Sequence, residues 1–175
     1  DFQFEVLTTY FNDGNRKPQR SSYNNAHAYL SAPYGIYKTS NGYIAIAMTP
    51  LPQLGELLDL NSIKGLDDQK KWFTKRDEIK KQIGDWVEKE TTEHWLSILE
   101  PADIWCAKVL DWETMVKHEG FKILDMVQRI KRDDGLDIET LRCPIKIDGE
   151  IFKSSKAAPK IGNDNNSIMK EFGIS

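Results

Sequence analysis

The chain has 175 residues, 39% of them hydrophobic and 29% charged, with a formal charge of -3 and a pI near 5.7. That length supports a domain with a real core, and that balance excludes a disordered chain. A mildly acidic chain has no general attraction for nucleic acid or acidic membranes, and no apolar run approaches the roughly 20 residues of a membrane helix.

Phe4, Leu7 and Phe11, flanked by Val6 and Tyr10, recur at helical spacing and predict a first helix that ends at Asn12-Asp13-Gly14. The chain opens on this helix with no Met and no lead-in, so we expect an element that starts inside a longer protein. Residues 12–33 form a long polar connection with Arg16, Lys17 and Arg20. Loops of this length are functional or are linkers, and this one reads as a linker between two packed bodies. Its basic residues lie in an acidic chain without interleaved aromatics, which argues against a nucleic-acid surface. The stretch Asn24-Asn25-Ala26-His27-Ala28-Tyr29 combines hydrogen-bonding side chains with small residues. A backbone can approach a ligand closely there. Three candidate substrate-binding residues come from this junction: Asn25, His27 and Tyr34. The alternative is a linker pinned by its own Asn side chains.

Tyr34–Thr39 and Tyr43–Met48 predict a hairpin turning at Asn41-Gly42, the pair that best tolerates positive φ. The second strand is apolar on both faces, so it should be central and buried. Thr49-Pro50 starts a helix as cap and first residue, with Leu51, Leu54, Leu57 and Leu58 on one side. Thr74 and Asp77 resemble a capping box for a helix that packs Ile79, Ile83, Trp86 and Val87. Asp77–Lys81 and Asp85–Lys89 stand at i,i+4 on its outer face. A further helix runs from Thr92 to Glu100, with Trp95, Ile98 and Leu99 inward, and Pro101 stops it. Ile104–Leu110 reads as a buried strand, and Asp111 as the cap of a short helix ending near Gly120. Strands follow at Val127–Lys131, Leu136–Cys143 and Ile145–Phe152, with turns at Asp134-Gly135 and Asp148-Gly149. Ser167 caps a final helix that Gly173 ends. The fold class is α+β: a small mixed or antiparallel sheet with hairpins and packed helices.

Chemistry is sparse. His27, His94 and His118 are too far apart for metal-ligand spacing, and Cys106 and Cys143 read as two buried thiols in a reducing compartment. The five tryptophans, at 72, 86, 95, 105 and 112, read mostly as core. No phosphate-cradling loop, dinucleotide pattern or nucleophile elbow is present. Most carboxylates sit at caps, turns or helix surfaces, so no catalytic residue and no metal site is assigned.

The order of segments nevertheless resembles a known family. Tyr37-Lys38-Thr39-Ser40-Asn41-Gly42-Tyr43 is similar to the hairpin of class III CoA-transferases, the CaiB/BaiF family. Phe73-Thr74-Lys75-Arg76-Asp77, then Thr92, Trp95 and Leu99, resemble the helices that follow. Asp103 to Leu110 resembles the next strand. Ala158-Pro159-Lys160-Ile161-Gly162, with Ile168 and Glu171-Phe172-Gly173, resembles the C-terminal signature. Two positions depart: Lys108 stands where the family often has Pro, and Asn163-Asp164-Asn165 where it has Glu-His-Thr. The second weakens any role carried over to that tail.

The resemblance implies a large Rossmann-like domain with a smaller α+β domain inserted in it, and two subunits threaded as interlocked rings. Residues 1–33 would be the linker helix and connection, 34–145 the small domain, and 146–175 a segment returning to the large domain. It also implies an aspartate nucleophile that forms an acyl anhydride and then an aspartyl-CoA thioester. No Asp here matches that motif, so the catalytic half is expected upstream of Asp1 and the chain alone should be inactive. The implied partners are an acyl-CoA and a carboxylic acid, with the CoA thioester as substrate and no tightly bound cofactor. The implied assembly is a cytoplasmic homodimer. An acyl-CoA racemase or epimerase of the same family, abstracting the proton α to the thioester carbonyl, is the alternative. A non-catalytic binding module is the third reading.

Overall fold

Alternation in the first hairpin decides which way the chain packs. In the computed structural model, which describes residues 4–23, 27–132 and 134–174, β1 (Gly35–Thr39) and β2 (Gly42–Ile46) pair antiparallel. A short β3 (Cys106–Lys108) joins the other side of β2, giving the order β1-β2-β3. Tyr37 and Thr39 of β1 and Ile44 and Ile46 of β2 are buried. The period of two places them on one face of the sheet, where helices cover them. The expected central position of β2 holds, but its burial is one-sided: Tyr43 is exposed and Ala45 half-buried.

The helices follow from their apolar stripes. Helix α1 is Phe4–Asn12, as the periodicity predicts. Helix α2 (Leu51–Leu57) buries Leu51 and Leu54, and Leu58 just beyond it is buried too. Pro50 is its N-cap and Thr49 makes no cap bond, so the start lies one residue later than Thr49-Pro50 predicts. Helix α3 (Asn61–Lys64) lies so close to α2 that a Cβ on Gly55 would stand 2.8 Å from the Lys64 nitrogen. Helix α4 (Gln69–Thr74) precedes α5 (Arg76–Val87), whose Ile79, Ile83 and Val87 enter the core. Helix α6 (Thr92–Leu99) adds Trp95 and Leu99. The Trp95 indole donates to the Val87 carbonyl at 2.8 Å, which satisfies its buried N–H.

Several local expectations are overturned. Thr74 ends α4 and its hydroxyl donates to the Lys70 carbonyl, so it caps nothing. The first hairpin turns at Ser40-Asn41, with Thr39 paired to Gly42, and neither turn residue nor Gly42 has positive φ. Asn41 is drawn instead to α6: its Oδ1 accepts from the Thr92 nitrogen at 2.8 Å, and its Nδ2 donates to Glu93 at 2.7 Å. Neither expected ion pair on α5 forms. Lys81 pairs with Asp85, and Lys89 lies 3.9 Å over the Trp86 ring. Strand β3 is shorter than Ile104–Leu110 and lies at the sheet edge, so of that stretch Ile104 alone is buried. Trp105 and Trp112 are exposed, against their reading as core. Cys143 is exposed and Cys106 half-buried, and both are free thiols.

The chain divides into two compact units, Asp1–Leu110 and Asp111–Ser175. The second holds α7 (Trp112–Lys117), capped by Asp111 as expected, and α8 (Glu119–Ile123), whose cap is the His118 ring. Two hairpins follow: β4 (Val127–Lys131) with β5 (Asp137–Leu141), and β6 (Lys146–Ile147) with β7 (Glu150–Ile151). Asp148 and Gly149 both take positive φ, as a two-residue hairpin turn requires. Helix α9 (Asn165–Phe172) has Asp164 at its N-cap, not Ser167, and ends on Gly173 in the left-handed region. Buried Arg142 binds this unit together through the carbonyls of Leu124, Asp125 and Cys143. Among its described residues, Ile130 is the one buried apolar side chain. No helix among the described residues is long and apolar enough to cross a membrane.

Candidate functional site

Apart from Lys38, which pairs with Glu88, the unburied face of the first sheet is apolar, and register makes it continuous. Ile36 pairs with Ala45, and Ala45 with Ala107. These three side chains form a row across β1, β2 and β3, on the face opposite the core. Trp105, two residues before Ala107, extends it, and its carbonyl accepts from the Ala47 nitrogen at 2.8 Å. The row is the floor of an open cavity of about 750 Å³, inside the range of small-molecule sites. This explains why β2 is apolar on both faces: one face is core and the other is cavity floor.

The polar wall comes from the long connection. Arg20, His27 and Tyr34 all line this cavity. Two of the three residues predicted from the linker–hairpin junction, His27 and Tyr34, are therefore brought together. The third, Asn25, lies outside the described residues. The His27 Nδ1 accepts from the Tyr29 nitrogen at 3.2 Å, so a neutral ring carries its proton on Nε2. Among the described residues, the lining holds no carboxylate. Its thiol, Cys106, has its pKa raised by burial and secondarily by Glu100, so it is held in the neutral form.

Two adjacent residues at the start of α5 fasten the wall. The Arg76 guanidinium donates to the Ala28 carbonyl at 3.0 Å and to the Gln19 carbonyl at 2.5 Å. Asp77 Oδ1 accepts from the Ser21 hydroxyl at 2.5 Å and the Ser22 nitrogen at 3.1 Å, and its Oδ2 from the Ser22 hydroxyl at 2.6 Å. Arg20 and His27 are thus carried on a segment tied on both sides to one helical turn. This is the use to which Asp77 is put in place of a capping box.

The Ser21 and Ser22 hydroxyls, foremost, hold the Asp77 carboxyl down at about 2. Such a depressed group stabilises the fold above its unfolded value, near 3.8, and that contribution is lost as pH falls through about 2. Its side chain is partly exposed, so we expect about 1–2 kcal/mol after allowing for solvent. Urea titrations of the wild-type chain and Asp77→Asn at pH 5 and pH 2.5 check this. The wild-type advantage should shrink on acidification, and a constant difference would contradict the assignment.

The other histidines are structural. His118 caps α8, and His94 packs edge-on against Trp95, with ring centroids 4.9 Å apart. Among the described residues no three His, Cys, Asp or Glu side chains cluster as a metal would need. A second open cavity, of about 910 Å³, lies beside α1 and the start of α5. Its two arginines are engaged, Arg16 with Asp13 and Arg76 with the loop carbonyls.

Comparison with known proteins agrees with this architecture. The chain is 28% identical over 148 residues to alpha-methylacyl-CoA racemase of Homo sapiens, covering 81% of this chain and 37% of that protein. Its fold is similar to that of Rv3272 from Mycobacterium tuberculosis, with a TM-score of 0.63, 17% identity, and coverage of 94% of this chain and 43% of the other. It is also similar to a CaiB/BaiF family protein from Brucella suis, with a TM-score of 0.61, 20% identity, and coverage of 97% and 44%. The chain thus spans less than half the length of each of these relatives. The family model for CoA-transferase family III matches residues 3–165, and the chain belongs to that family.

Proposed function

We propose that this chain is the C-terminal part of an acyl-CoA:carboxylate CoA-transferase, and that the cavity on its first sheet receives the acyl group. The observation that carries the reading is an apolar floor beside three donor side chains, in a member of this family. A cavity with no carboxylate among its described residues binds and orients, and the nucleophile comes from a segment outside the chain. There an aspartate carboxylate attacks the thioester carbonyl and expels the CoA thiolate, forming the acyl–aspartyl anhydride. The thiolate then attacks the aspartyl carbonyl, releases the carboxylic acid and leaves the aspartyl-CoA thioester. His27 and Tyr34, with Asn25, bind the acyl portion. In this layout residues 1–33 are a linker, 34–145 a small domain and 146–175 a return to a larger domain, in a cytoplasmic homodimer. That division follows role in the whole protein, not compactness. Exposed Trp112, Ile123, Ile161 and Phe172 in the second unit support it, because apolar surface of this kind marks a face made for a partner.

The likeness to alpha-methylacyl-CoA racemase favours a second reading, proton exchange at the carbon α to the thioester. One experiment separates the two. The full-length protein is given an acyl-CoA and a second carboxylic acid in D2O. CoA appearing on the second acid supports the transferase. Deuterium entering the α position without transfer supports the racemase and overturns the first reading. The chain by itself should do neither.

A further inference from the structure

We propose that the second cavity, beside α1 and the start of α5, binds a phosphate or phosphomonoester, and that the bound anion fastens the segment walling both cavities. The site does not depend on which reaction the protein catalyses. Its described lining carries three cations, Arg16, Lys17 and Arg76, against one carboxylate, Asp13, which Arg16 takes up. Lys17 and Arg76 have no carboxylate partner among the described residues, so the lining keeps an excess of positive charge. Arg76 is buried, and Lys80, buried with its amine unpartnered, stands one turn along α5. Asp77 offsets part of this charge, but its oxygens are taken up by Ser21 and Ser22. Two buried cations this close favour a counter-anion.

Arg76 has donors to spare for one. Its bonds to the Gln19 and Ala28 carbonyls use two of the five N–H groups of a guanidinium. The guanidinium lies 4.4 Å over the Phe73 ring, which lines the same cavity, so its planar fork is held in place. Tyr29 is the second observation. It lines this cavity, and its hydroxyl is buried with no hydrogen-bond partner among the described residues. An unpartnered buried hydroxyl is costly, and an anion in the cavity supplies its acceptor. The donors come from the start of α5, from the residues after α1 and from the stretch before β1. Tetrahedral phosphate oxygens suit that spread better than a planar carboxylate does. The C-terminal turn of α1 lines the cavity as well, and its partial charge disfavours an anion, so binding rests on the cations. Gln19, Ala28 and Tyr29 line this cavity, while Arg20 and His27 line the first. One segment thus serves both, and Arg76 holds it at Gln19 and Ala28. An anion that prefers the fastened segment to the opened one keeps it closed.

The test titrates the full-length protein with inorganic phosphate and with methyl phosphate, under saturating CoA, with chloride at matched ionic strength as the control. Calorimetry should show phosphate binding, and hydrogen exchange at the amides of residues 19–22 and 27–29 should slow where chloride leaves it unchanged. Tighter binding of inorganic phosphate would support a free ion as the ligand, and equal or tighter binding of methyl phosphate a phosphomonoester. Tyr29→Phe should weaken phosphate about tenfold, the scale of a hydrogen bond to a charged group. Lys17→Gln should also weaken it and leave the urea midpoint of the free protein unchanged. No binding beyond that of chloride would overturn the proposal, as would full affinity in both variants. Binding seen only without CoA would also overturn it, by assigning the phosphate to the CoA site. Phosphate binding with unaltered exchange at residues 19–22 and 27–29 would overturn the fastening.

Discussion

Replacing Arg76 by alanine is expected to destabilise the chain by about 2–4 kcal/mol and to loosen the wall of the cavity with it. Arg76 is a buried cation whose charge-assisted hydrogen bonds go to the Gln19 and Ala28 carbonyls, one on each side of the segment that carries Arg20 and His27. Its guanidinium also lies 4.4 Å over the Phe73 ring. Alanine leaves two half-buried carbonyls without a donor, and the cost of an unmade buried bond exceeds the gain of making it. Part of the loss is offset, because Arg76 repels the Lys80 ammonium one turn along α5. Arg76→Lys should recover little, since one ammonium does not span two carbonyls as a planar fork does. Urea denaturation reads the stability. Hydrogen exchange at the amides of residues 19–22 and 27–29 reads the wall, and should accelerate there more than in β1 and β2. A variant within about 0.5 kcal/mol of wild type, the scatter of neutral surface changes, would show that the clamp is not what holds the loop.

Elements with a strong apolar period were legible in the amino-acid pattern. Leu51, Leu54 and Leu58, Ile79, Ile83 and Val87, and Trp95 and Leu99 mark the inner faces of their helices, and all are buried. Details that depend on a distant partner were not legible. Asp77 has the spacing of a capping box but is taken by Ser21 and Ser22, more than fifty residues earlier. Asn41-Gly42 has the composition of a positive-φ turn, but the first turn of α6 claims the Asn41 side chain, and the turn shifts by one residue. The site divides in the same way. His27 and Tyr34, expected at a site from the composition of the junction, both line the cavity. Arg20 was visible as a charge but not as a wall residue, because its place depends on the tie to α5. The floor was misread as core: a strand apolar on both faces signals double burial, and only the exposure of Ile36 and Tyr43 shows that one face is left open. Trp105 is the same error in one residue, a large apolar side chain placed at the cavity and not beneath the sheet.

Replacing Lys80 by methionine is expected to stabilise the chain, by about 1–3 kcal/mol, against the usual run of core substitutions. Lys80 is fully buried, and its amine has no hydrogen-bond partner among the described residues. Burial, and then the nearby Arg76 charge, lower its pKa, while Asp77 acts weakly the other way. Methionine has a similar length and removes the polar atom that has lost its water. The pH dependence gives the second readout. A lysine whose folded pKa is depressed binds fewer protons folded than unfolded between that value and its ordinary value near 10.5. Wild-type stability therefore rises with pH across that window, and the advantage of Lys80→Met shrinks as the unfolded lysine also loses its proton. Urea midpoints at pH 7 and pH 10 measure both effects. A less stable variant would mean that the amine is hydrogen-bonded in the native protein. An unchanged advantage at pH 10 would mean that its charge is not what the fold works against. Because Arg76 and Lys80 repel each other, the double variant should be less stable than the sum of the single effects of Arg76→Ala and Lys80→Met, and by a larger margin if Lys80 moves to a new partner when Arg76 goes. If it stays in place, Lys80→Met should gain less in the Arg76→Ala background than in wild type, since the repulsion it relieves is already absent.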